Sequence, residues 1–122
     1  MEPKIVRKKI TKKELAKIVK ENFGDMVKVD VDVKREIATM GGEWHSEGDE
    51  LLVRDGSSRE YVWGVNFHPY SVVEKRIEYV SLINIKPSFG HKKMEIADPK
   101  LRKKIQSIVA ALLLHNDETL DV

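Results

Sequence analysis

Glu43 and His45, in the segment Met40-Gly41-Gly42-Glu43-Trp44-His45, are the residues of this chain best suited to chemistry. A carboxylate beside an imidazole favours the protonated ring, and such pairs serve as general acids and bases. Read as a strand, the segment points both side chains to one face, with Cα atoms roughly 7 Å apart. The two glycines leave an opening where a ligand, a backbone or another side chain comes close.

Two later segments supply companions for this pair. A strand over Tyr61 to His68 puts Gly64, Asn66 and His68 on one side, and a strand over Ile77 to Lys86 does the same for Asn84 and Lys86. If the three strands are neighbours and these sides coincide, Glu43, His45, Asn66, His68, Asn84 and Lys86 gather over a floor thinned by Gly41 and Gly64. Lys86 with Asn66 or Asn84 could then hold an anion or stabilise developing negative charge. Glu43, His45 and His68 could ligate zinc and leave a position open. A tightly bound structural zinc is not expected, because cysteine is absent and the chain has only four histidines. No cofactor is implied. Plainer readings stand beside the site: polar strand ends facing solvent, or Glu43 and His45 as a structural hydrogen-bonded pair. A two-histidine helix motif, a nucleophile elbow and a serine triad are all missing, and Gly90-His91-Lys92-Lys93 lacks the upstream glycine of a phosphate loop.

The elements that must position these residues are well punctuated. Lys4 to Lys9 reads as a strand, and Thr11 followed by Glu14 is a capping box that opens a helix with Leu15, Ile18 and Val19 inward and a stop at Gly24. Val27, Val29, Val31 and Val33 alternate with polar residues, which predicts a strand with one buried and one wet face. Lys34-Arg35-Glu36 turns it into a second strand running from Ile37 to His45. A short helix is expected over Glu47 to Asp55, closed by Gly56. Asp98-Pro99 starts the last helix, with Leu101, Ile105, Ile108, Val109, Leu112 and Leu113 inward and a frayed tail over 116–122. Short connections between consecutive strands predict an α+β fold: an antiparallel or mixed sheet of about five strands, two main helices and one short one, in a single layer on the sheet.

A chain of 122 residues with 41% apolar composition fits one domain, 1–122, with one core over about 4–115. The lack of cysteine excludes disulfide and thiol chemistry. No apolar run suits a secretory leader or a bilayer span, so a cytoplasmic protein without membrane contact is expected. High charge content, at 34%, also suits a thermophilic source. Residues 1–20 carry +6 of a net charge of +2, which attracts phosphate backbones in principle. A solvated helix face and a lysine-protected edge strand explain it more simply.

Gly41-Gly42-Glu43-x-His45, Trp63-Gly64-Val65-Asn66, Ser81-Leu82-Ile83-Asn84-Ile85-Lys86-Pro87 and Asp98-x-x-Leu101-Arg102 together resemble a family of small prokaryotic proteins known only as a domain of unknown function. The resemblance runs from Lys4 to about Leu114. It implies a single-domain α+β protein and brings no activity with it. The family pattern more often has an aromatic at the place of His68 and arginine at the place of Lys86, which would make any imidazole role at 68 particular to this chain.

The leading functional expectation is a binding or interaction module, with a polar patch at one end of the sheet for a protein or a small molecule; a homodimer is compatible with it. The second is a small hydrolase-like or acid–base enzyme using Glu43 and His45. The third is a weak nucleic-acid binder through the basic N-terminal helix, disfavoured because no aromatics interleave its lysines. Burial separates the first two, since an enzyme needs Glu43 and His45 in a concave pocket.

Overall fold

A computed structural model describes residues 1–121. The chain is an α+β domain with a five-stranded, wholly antiparallel sheet in the order β1-β3-β2-β4-β5. The strands are β1 (Lys4–Val6), β2 (Val27–Asp32), β3 (Ile37–Met40), β4 (Val62–Phe67) and β5 (Ile77–Glu78). The helices are α1 (Lys12–Glu21), α2 (His45–Arg54) and α3 (Pro99–Leu112).

The helix signals act as their chemistry requires. Thr11 accepts the Glu14 N–H at 3.1 Å, while the Glu14 carboxylate turns outward to Lys4, so half of the capping box forms. Gly24, at φ +88°, closes the end of α1 by donating to Val19 O. Asp98 caps α3 through the Lys100 N–H, with Pro99 in the first turn.

The helices do not form one layer. Val27, Val29 and Val31, with Ala38, Met40, Trp63, Val65 and Phe67, meet Leu15 and Val19 of α1 and Ile105 and Val109 of α3 in the main core. The alternate residues face the opposite side, where α2 covers them and Ile37, Leu52 and Val62 form a smaller core. The second face of β2 is therefore not wet: Asp30 and Asp32 are 2% and 1% exposed. Asp32 turns its carboxylate onto the Lys34 and Arg35 N–H groups, which satisfies it and shapes the β2–β3 turn.

Three expected strands are cut well short, the first of them ending at Val6 rather than Lys9. The second strand ends at Met40, because Gly41 and Gly42 adopt φ of +103° and +95° and swing the chain out of the sheet. The last strand stops at Glu78; beyond it Val80 bridges Glu95, and Leu82–Asn84 forms a 3-10 turn. Of the C-terminal segment expected to fray, residues 116–121 are docked, and Val122 lies outside the described residues. Leu120 is buried, and the Arg76 guanidinium donates to the carbonyls of His115 and Glu118.

Candidate functional site

The turn at Gly41-Gly42 changes what Glu43 and His45 can do. His45 is the first residue of α2 and lies over the middle of the sheet, whereas Glu43 is exposed in the connection before it. The Glu43 and Trp44 N–H groups both donate to the Glu47 carboxylate, at 2.9 and 2.8 Å. The helix-capping residue Trp44 has no side-chain acceptor to offer the first turn. Expected on one face of one strand, Glu43 and His45 are thus parted by a helix start, and the strand before Glu43 is separated from the strand of Asn66 by β2.

The carboxylate that meets His45 comes from Asp30, on the central strand. Its Oδ1 is 2.7 Å from His45 Nδ1, with both side chains buried. Burial pushes the Asp30 carboxyl up to about 6 against the opposing hydrogen bond and charge of His45. Two glycines make the approach possible. A Cβ on Gly48 would collide with the Asp30 carboxylate and the Thr39 hydroxyl, so α2 rests on the sheet with bare backbone. A Cβ on Gly64, opposite Asp30 in the ladder, would lie 3.0 Å from His45 Nδ1 and 2.7 Å from Ser81 Oγ.

The other ring nitrogen, Nε2, is 3.0 Å from Asn66 Oδ1, and Asn66 Nδ2 donates to Glu78 Oε1 at 2.9 Å. That chain fixes the protons. The Asn66 hydrogen bond holds the Glu78 carboxyl below its usual range, so it is an ionised acceptor and must face the amide nitrogen. Asn66 then turns its oxygen to His45, and Nε2 carries the hydrogen between them. Nδ1 is left to face the Asp30 carboxyl.

Other expected members stand apart. Asn84, fully buried, accepts the Gly64 N–H at 2.8 Å and donates to Gly64 O and Met94 O, both at 3.0 Å. Since β5 pairs β4 only at Asn66 and Phe67, the Asn84 carboxamide serves Gly64 as the missing strand would. Lys86 donates to Ile83 O and lies over the Trp63 ring, 5.0 Å from its centroid; burial pushes its pKa down, against the pull of Asp49 and Asp30. His68 sits 3.6 Å from Glu78 at the edge. His45 and Asn66 come together, Asn84 supports the strand beneath them, and Glu43, His68 and Lys86 do not join. Among the described residues no group of His, Asp and Glu is placed to hold a metal ion, and the contact suggested between Glu43, His45 and His68 does not form.

Sequence reasoning missed Asp30, Glu78, Ser81 and Gly48. The only signal for Asp30 is an acid on the polar side of a strand with valine at every second place, a side that reads the same under water or under a helix.

Above this floor opens a cleft of ≈ 280 Å³, lined by Trp44, His45, Asn66, Leu82 and Met94 among others. Its walls are apolar and unusually open to solvent: Trp44 is 61% exposed, Leu82 69% and Met94 41%. Lys28 and Ser46 stand among the lining residues, and Ser81 reaches it from below. No helix is long and apolar enough to cross a membrane. No curated protein and no solved structure matches the chain. A family model described as a protein of unknown function, DUF5674, matches residues 4–112, and the chain belongs to that family.

Proposed function

We propose that this protein is a binding module that takes a small, mainly apolar guest in the cleft between the start of α2 and the 80–94 connection. The observation that carries this reading is the exposed trio Trp44, Leu82 and Met94 around a floor in which Asp30, His45, Asn66 and Glu78 bond one another. Ligand sites are commonly concave and apolar with a few fixed polar groups, and this cleft lies near the small end of their size range. The acid–base alternative is weaker for a stated reason: His45 Nε2 is spent on Asn66, and Ser81 Oγ accepts from the Ile83 N–H rather than meeting the ring. Glu43, on which that alternative relied, is outside. The basic residues Lys12, Lys13, Lys17 and Lys20 lie on the exposed face of α1, which supports a solvated surface and only weak, salt-sensitive attraction to nucleic acid.

Amide-resolved NMR with a fragment library tests the reading. Saturable shifts should cluster at Trp44, Ser46, Leu82 and Met94. Shifts scattered over the surface, or none at millimolar fragment, would remove the binding proposal.

A further inference from the structure

Resting on that binding reading, we infer that the guest is an amphipathic carboxylate, a free alkyl or aryl acid whose apolar body meets Trp44, Leu82 and Met94 and whose head group meets Lys28. The inference comes from an inventory of what the cleft leaves unpaired. Asn66 uses its oxygen on His45 and its nitrogen on Glu78. Both His45 nitrogens are engaged. Ser81, 4% exposed, accepts from the Ile83 N–H, which leaves its hydroxyl proton to give. Ser46 adds a second hydroxyl at the first turn of α2. Lys28 contributes an ammonium that forms no ion pair among the described residues; it lies 5.5 Å from the centroid of the Phe23 ring, and its charge adds to the Asn66 hydrogen bond in holding the Glu78 carboxyl low. The polar groups the floor and rim still offer are thus two hydroxyls and one positive charge, set against apolar walls.

Charge on the facing elements agrees with this. The Asp30 carboxyl is buried and turned to His45 Nδ1, and the Glu47 carboxylate is occupied by the Glu43 and Trp44 N–H groups. Glu78 bonds Asn66 on the side away from His45, has His68 beside it and feels the charge of Lys28. A neutral guest could accept from the hydroxyls but would leave Lys28 without an anion, and a cationic guest would meet Lys28 with like charge. A carboxylate accepts from several donors at once and gains the stronger, charge-assisted bonds.

Octanoate, octanol and octylamine, kept below micelle-forming concentrations, separate head group from chain. Titrations of the full chain followed by the Trp44 indole and Ser46 amide resonances should show octanoate binding roughly tenfold or more tighter than octanol, and no saturation with octylamine. Lys28→Gln should bring octanoate down to the level of octanol without loosening octanol. Equal affinity for octanoate and octanol in the parent protein, or an unchanged octanoate affinity in Lys28→Gln, would overturn the carboxylate assignment and leave the binding reading standing. No saturable response from any of the three at the cleft would overturn the binding reading itself. An N-acetylated dipeptide ending in leucine represents a protein C-terminus; tighter binding of it than of octanoate would overturn the assignment to a free small molecule.

Discussion

The two faces of the sheet are made from the same strands and are held by opposite means. On one, Val29, Val31, Val65 and Phe67 pack against α1 and α3 with nothing polar to satisfy. On the other, the intervening residues Asp30, Thr39, Gly64 and Asn66 face α2 and the 79–96 connection through hydrogen bonds and bare glycine backbone. The apolar face gains stability roughly in proportion to the area it buries, and tolerates adjustment. The polar face must desolvate a carboxyl, an imidazole and two carboxamides, and recovers that cost only when every partner is in place.

The largest effect expected is on the apolar side. Phe67→Ala removes one of the largest fully buried side chains and should lower stability by about 3–5 kcal/mol in denaturant melts. Cleft resonances should keep their pattern while the protein remains folded. Asn84→Ala comes next, at about 2–4 kcal/mol, since it strands the N–H and C=O of Gly64 together. Here the cleft amides should move, and a loss below 1 kcal/mol would deny the carboxamide its strand-like role. Gly64→Ala should cost about 1–3 kcal/mol by overpacking against Ser81 and His45, with shifts confined to the polar face.

Asp30 sharpens the contrast through pH. Its carboxyl is raised from 3.8 to about 6, so between these values the native state binds more protons than the unfolded chain. Stability from this group is therefore full below about pH 4 and is lost as pH rises through 6. Compared with Asp30→Asn, the parent protein should lose on the order of 2–3 kcal/mol across that window. A flat difference would contradict a carboxyl held neutral by burial. Smallest of all is Glu43→Gln, an exposed change expected to leave stability within about 0.5 kcal/mol and the cleft unchanged.

What the sequence allowed one to read divides along the same line. The apolar face was legible, because valine at every second place, the Thr11 and Asp98 caps and the stripe from Leu101 to Leu113 follow local rules. The polar face was not. A period-2 strand looks the same whether its second side meets water or a helix, so Asp30 passed for a solvent residue. Gly41-Gly42 was seen as an opening within a strand, though paired positive φ values end one instead, and that moved His45 onto a helix and away from Glu43. His45 with Asn66 was nevertheless anticipated, and the room left by Gly64 had the cause expected of it: another group, Ser81, comes close. The Ile77 to Lys86 alternation misled because a short buried carboxamide at 84 can replace a strand, something no periodicity records.

That replacement has a consequence for how copies of this molecule meet. A sheet edge with idle backbone groups invites a strand from a neighbouring chain, the first step toward fibrils and swapped dimers. Past Glu78 the outer edge of β4 would be such an invitation, but at Gly64 both its donor and its acceptor are already taken by Asn84. The side chain works as a stopper on the ladder. It ends the sheet without needing a charged residue there, and so leaves the space above Gly64 to an imidazole and a serine instead of a repelling lysine.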